Sequence, residues 1–223
     1  MTSDPVSAPE VILHETAEHV RATLARDSSG HDWSHIQRVW NTAREIGQAE
    51  GADLFVVEMA ALLHDIADWK FHAGDESVGP RRAAEWMARY ALDSGTVEHV
   101  CDIIRHVSFK GAGVETSMST LEGRVVQDAD RLDAIGAIGI ARAFAYGGHA
   151  GRAMYDPERP SERHESFEAY KKNDGPTINH FYEKLLLLKD RMQTDRGRQM
   201  AAERHRFMEK FLERFYHEWN GRA

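Results

Sequence analysis

The sequence predicts an all-α fold, a single compact helical domain. Three observations carry this. Ala, Glu, Arg and Leu, which favour helices, abound, while β-branched alternation is scarce. Apolar residues recur at three- and four-residue spacing in one segment after another. The six prolines lie mostly near the N-terminus or inside 147–176, leaving the periodic segments free of breakers. With 223 residues, 42% of them hydrophobic, the chain has the material for a substantial core.

Residues 1–9 are polar and contain two prolines, so a disordered N-terminus is expected, with the domain over 10–223. A first helix is predicted over 11–25, ended by Asp27-Ser28-Ser29-Gly30. After His31-Asp32-Trp33-Ser34-His35 comes an amphipathic helix with Ile36, Val39, Trp40, Ala43 and Ile46 as its stripe. Asp32 is its N-cap, His35 lies in its first turn at the stripe's edge, and Gly51 ends it. The next helix, 53–68 with Asp53 as N-cap, is almost wholly apolar up to Leu63 and is read as buried. A loop over 69–75 follows, then helices over 80–91, with Pro80 in first position, and 97–107. After a loop over 108–113, residues 121–146 form the longest candidate helix. Its small-residue run Gly136-Ala137-Ile138-Gly139-Ile140-Ala141 suits close helix contact, and Gly147-Gly148 stops it. Residues 147–176 are polar and hold Pro157, Pro160 and Pro176. They read as a long surface loop, of a length that suits a lid. Thr177 caps a helix to Met192. Asp195 opens the last, where Phe207, Phe211, Phe215 and Trp219 recur every four residues, as core or oligomer contact.

Composition excludes several classes. A net charge of −8 argues against a nucleic-acid duplex as partner. It leaves room for a small anionic substrate held by local cations. No apolar run approaches the roughly 18 residues of a membrane span. The lone Cys101 forbids an internal disulfide or a cysteine metal cluster and fits a reducing cytoplasm.

The functional signal is Leu62-Leu63-His64-Asp65-Ile66-Ala67-Asp68. An imidazole and a carboxylate at the end of a buried helix must be paired, hydrogen-bonded or bound to a metal. His35 and Asp130 are the further candidates. Together, His35, His64, Asp65 and Asp130 form a two-nitrogen, two-carboxylate set. That set suits one divalent ion: Mn²⁺ in first place, with Ni²⁺, Co²⁺, Fe²⁺ or Mg²⁺ open. Four protein ligands on an octahedral ion leave two positions, for a water and a phosphate oxygen. The bland alternatives are a hydrogen-bonded His35 and an Asp130 paired with Arg131 or Arg142. Asp130 sits in Gln127-Asp128-Ala129-Asp130-Arg131-Leu132-Asp133, where three carboxylates on a largely apolar helix demand compensation.

The stretches His31-Asp32-Trp33-Ser34-His35, Leu62 to Asp68, His106-Val107-Ser108-Phe109-Lys110-Gly111 and Gln127 to Gly136, in that order, resemble the HD-domain metal-dependent phosphohydrolase superfamily. They are most similar to its YedJ/YpgQ-type branch. The resemblance runs from about His31 to the last helix. It implies an all-α fold of the HD-domain type and activity as a nucleotide pyrophosphohydrolase or phosphatase.

Asp68, with Asp65, is the catalytic candidate: it positions or deprotonates the attacking water, or else pairs with Lys70. Lys110 and Lys70 are candidate phosphate-binding cations, and Gly111 and Gly113 would admit backbone N–H groups to an anion. His106 is a candidate phosphate donor or further ligand; His99 is too far along its helix to share its ion. Asp133 is a candidate substrate contact or support, or else pairs with Arg38. His72 and His180 are weaker, read as hydrogen-bonded surface or interface residues. The expected activity is hydrolysis of (deoxy)nucleoside triphosphates to monophosphate and pyrophosphate through a metal-activated water. Nucleoside 5′-monophosphate phosphatase activity is the nearest alternative. A non-catalytic nucleotide sensor and a two-iron oxygenase are the rivals of other classes. The protein is expected to be a monomer or a homodimer.

Overall fold

A computed structural model describes residues 9–25, 32–67, 75, 77–107, 118–161 and 175–222. Among them the structure is all-α, with no strand. Asp68, Lys70, His72, Lys110, Gly111, Gly113 and the centre of the expected lid, 162–174, lie outside the described residues. The helices are α1 (Pro9–Thr23), α2 (Trp33–Glu50), α3 (Leu54–Leu63), α4 (Val78–Met87), α5 (Ser94–His106), α6 (Leu121–Asp133), α7 (Gly136–His149), α8 (Asn179–Glu183) and α9 (Asp195–Trp219). A 3₁₀-helix spans Leu185–Arg191 between the last two. None of the described helices is long and apolar enough to cross a membrane. The chain divides into two compact units: α1 to α5 with α6 up to Ala129, and the remainder from Asp130 onward. The division falls inside α6, a continuous helix.

In the first unit α3 is the central helix. Val56 to Leu63 are all buried, and α3 packs against α1, α2 and α5. Asp53 caps it by accepting from the backbone N–H groups of Phe55 and Val56. The one charged residue among those buried, Glu58, accepts a 2.6 Å hydrogen bond from Trp40 Nε1. This satisfies an oxygen that burial would otherwise leave costly. Asp32 caps α2 and Gly51 ends it at φ 72°, as the sequence indicates. Trp86 of α4 donates from Nε1 to Thr16 of α1 at 2.8 Å and stacks on His19 with ring centroids 3.9 Å apart.

Several boundaries differ from the sequence reading, each for a local reason. The helix expected over 53–68 ends at Leu63. His64 Nδ1 lies 2.8 Å from the Ala61 carbonyl, the acceptor that the Asp65 N–H would take were the helix to continue. The helix expected over 97–107 begins at Ser94, because Asp93 accepts from the backbone N–H and hydroxyl of Thr96. The helix expected over 80–91 begins at Val78 and ends at Met87, placing Pro80 third in the helix.

The helix expected over 121–146 is two helices. After Asp133 the backbone tightens to i→i+3 bonds, Ile135 is extended, and Gly136 adopts φ 77°, a conformation only glycine takes cheaply. Arg204 Nη1 donates to the Leu132 carbonyl at 2.5 Å, a second hydrogen bond to an oxygen that also accepts from the Ile135 N–H at the end of α6. Gly147 and Gly148 do not stop α7, which runs to His149. The helix expected from Thr177 to Met192 is α8 plus the 3₁₀-helix, broken at Lys184. A three-residue period brings Leu185 and Leu188 onto one buried face, which an α-helix does less well. On α9, Phe211 and Phe215 pack against Phe144, but Phe207 and Trp219 are exposed. A four-residue repeat advances about 40° per step around a helix of 3.6 residues per turn, so its ends rotate away from the core.

His180 of α8 is half-buried beside Lys184 and Arg152, and its pKa is pushed down to about 3, chiefly by desolvation and then by those two charges. The folded state therefore holds it neutral where the unfolded chain protonates it. Stability from this residue is complete above the ordinary histidine pKa of 6.5 and declines as pH falls from there toward 3. His180→Gln is expected to remove that dependence. In urea titrations between pH 7 and 4, the wild type should lose up to about tenfold more in its folding constant per pH unit than the variant.

Candidate metal centre

Three helical segments bring the candidate side chains together. His35 sits in the first turn of α2, where the Asp32 carboxylate takes its backbone N–H at 2.9 Å and fixes that turn. The apolar stripe beside it, Ile36 and Val39, carries its ring inside, 2% exposed. His64 and Asp65 follow the last turn of α3, where His64 still has helical dihedrals, φ −59° and ψ −32°. Asp130 follows Ala129, the last residue of the first unit, on the same uninterrupted helix.

His35, His64 and Asp130 each present one ligand atom, and these atoms all lie within 4.8 Å of one another. Two donors on one ion, each about 2.1 Å from it, are separated by at most about 4.2 Å, so the group is close to ligand spacing. Asp65 Oδ2 is 3.5 Å from His35 Nε2 and 3.4 Å from His64 Nε2. The two rings meet edge to face, 5.4 Å between centroids.

The tautomer of His64 follows from chemistry. The Ala61 carbonyl only accepts, so Nδ1 carries a proton, and in the neutral ring Nε2 then presents its lone pair toward Asp65. Both Nε2 atoms are buried, and both face a carboxylate oxygen across distances longer than an ordinary hydrogen bond. In the neutral His64 ring a lone pair and the Asp65 carboxylate face each other, an arrangement that a cation between them relieves. A carbonyl holding the far nitrogen of a histidine is also the usual way a ligand ring is oriented. The residues present therefore fit a divalent ion.

The other candidates are placed as follows. Asp133, one turn beyond Asp130, is 4% exposed and paired with Arg142. His106 is exposed at the end of α5; its Nδ1 lies 2.9 Å from the Asp102 carbonyl, and it is not part of the close group. Asp128 and Gln127 are fully buried, and Gln127 Nε2 donates to the His106 and Val107 carbonyls. Arg131 donates through Nη1 to the Arg191 carbonyl. Sequence reasoning offered Arg142 only as an alternative partner of Asp130. Its place at Asp133 depends on the corner between α6 and α7, which no periodicity announced.

Residues 32–135 match the HD domain family, a span that includes His35, His64, Asp65 and Asp130. YpgQ of Bacillus subtilis (strain 168) is 41% identical over 194 residues, covering 86% of each chain. Among solved structures, an HD-superfamily hydrolase from Bacillus thuringiensis superposes with a TM-score of 0.77 at 42% identity, covering 96% of this chain and 99% of that one. Bacillus subtilis YpgQ in complex with ADP superposes with a TM-score of 0.73 at 35% identity, covering 94% and 96%. The protein belongs to the HD superfamily of hydrolases, in the branch that includes YpgQ.

Proposed function

We propose that the protein is a metal-dependent nucleotide phosphohydrolase, with His35, His64, Asp65 and Asp130 holding one divalent ion, Mn²⁺ by preference. The observation that carries this is the approach of two buried imidazole nitrogens to Asp65, with an Asp130 ligand atom within 4.8 Å of those of His35 and His64. A divalent ion there supplies an acidified water and a Lewis acid for a phosphoryl oxygen. The chain's own residues do the rest. The Ala61 carbonyl fixes the His64 ring; Asp32, by capping α2, fixes the backbone turn that carries His35. Asp65, whose side chain is 17% exposed, faces both the imidazoles and solvent, where a substrate enters. Asp68 is the proposed base that orients the attacking water, and Lys70 and Lys110 the proposed phosphate cations. The ADP complex of YpgQ supports a nucleotide as substrate. The favoured reaction breaks the bond between the α-phosphorus and its bridging oxygen in a (deoxy)nucleoside triphosphate. Water adds to phosphorus, and monophosphate, pyrophosphate and a proton leave.

The test is a panel of nucleoside mono-, di- and triphosphates with the purified protein and Mn²⁺. Pyrophosphate release that stops with a chelator and returns with Mn²⁺ is the expected result. Orthophosphate release from monophosphates would shift the reading to a phosphatase. Turnover untouched by chelation would refute metal dependence.

A further inference from the structure

Glu58 is the one charged residue in the buried run Val56 to Leu63 of α3, and it is 8% exposed. Burying a carboxylate there is costly, and a buried polar pair is weak evidence for stability. The best-attested use of such a pair is to fix the register of packed helices. Its partner Trp40 lies on α2 and donates from Nε1 to Glu58 Oε2 at 2.6 Å. The bond thus joins α2, which carries His35, to α3, which His64 follows. All four residues belong to the first unit.

The two helices form an antiparallel hairpin closed by three residues, Gly51 to Asp53. Near its closed end Gly47 meets α3: a Cβ there would lie 3.0 Å from Leu54 Cδ2 and 3.5 Å from Val57 Cγ1. Midway, Trp40 meets Glu58. At the open end the rings of His35 and His64 meet, 5.4 Å between centroids. His35 is five residues from Trp40, and His64 six from Glu58. At a rise of 1.5 Å per residue these are spans of about 7.5 and about 9 Å, both under two turns. The buried neighbours of the bond, such as Val39, Ala43, Val57 and Ala61, are apolar, and their attraction has no direction. Packed helices shift past one another by about 1–2 Å, whereas a metal site needs its ligands held within about 0.5 Å. A directional hydrogen bond between α2 and α3 supplies the missing restraint.

We propose that Trp40 and Glu58 are a positioning pair, whose bond locks α2 against α3 in the register that sets the spacing of the His35 and His64 ligand nitrogens. The proposal rests on the metal-binding reading above.

The experiment titrates the full-length, metal-free protein with Mn²⁺ by calorimetry and records a circular-dichroism melt without metal for each variant. W40F/E58M replaces both partners by apolar side chains, so its melt should stay close to that of the wild type. Its Mn²⁺ affinity is expected to fall about tenfold, the lower end for groups that orient a ligand directly. E58Q keeps an acceptor for the indole and should stay within about threefold of wild type. W40F leaves Glu58 buried without its donor and should lower both the melt and the affinity. If W40F/E58M does not fold, E58M alone is read in the same way. Wild-type Mn²⁺ affinity in W40F/E58M overturns the proposal while leaving the metal reading standing. So does an affinity that simply follows the melt across the variants, which is what a purely structural bond would give. A wild type that takes up no Mn²⁺ refutes the metal reading, and the proposal with it.

Discussion

Replacing His64 with alanine is expected to abolish stoichiometric Mn²⁺ binding and, with it, turnover of any nucleotide substrate. Partners that merely orient a metal ligand are worth about 10–100-fold in metal affinity, so losing the ligand itself should exceed about a hundredfold. His64 is the stronger test than His35 because its tautomer is fixed. The Ala61 carbonyl holds Nδ1 at 2.8 Å, leaving Nε2 committed to the centre. Equilibrium titration with Mn²⁺, alongside a thermal melt, separates loss of the ion from loss of the fold. Retained affinity in H64A with an unchanged melt would show that the two imidazoles serve the core and not a cation.

The second large effect concerns the corner that places Asp133 and Arg142. A Cβ on Gly139 would lie 2.2 Å from the Ala134 carbonyl oxygen and 2.5 Å from its carbon. Both are backbone atoms, so no side-chain rotation relieves the clash, and the turn between α6 and α7 would have to open. Gly139→Ala is therefore expected to destabilise by about 3 kcal/mol or more, lowering Tm by roughly 6–12 °C. Gly148, on the same helix, has nothing within 4 Å of where a Cβ would sit and no positive φ. Gly148→Ala should be neutral or stabilise by up to about 1 kcal/mol. Differential scanning calorimetry of the pair checks this; equal effects would mean that helix propensity, not contact with Ala134, governs both positions.

Much of the helical layout was legible because it is written in local chemistry. Asp32 and Asp53 sit as N-caps, Gly51 as a left-handed stop, and the all-apolar run of α3 as a buried helix. The breaks were harder to see, because each depends on an interaction distant in sequence or unusual in type. α3 ends where an imidazole takes a carbonyl, and the α6–α7 corner relies on Arg204, far along the chain. In the candidate centre, the meeting of His35, His64 and Asp130 was inferable because each stands at the edge of an apolar stripe where a polar group needs a reason. The burial of Asp133 and its partner were not inferable, since α7 had to fold back first.

The account stands on one cation among these side chains. Crystals grown with Mn²⁺ and measured on both sides of the manganese absorption edge address it directly. The account predicts one anomalous peak per chain, bonded to His35 Nε2, His64 Nε2, Asp65 and Asp130. A map with no peak there, or with manganese bound only to residues outside this group, would contradict it.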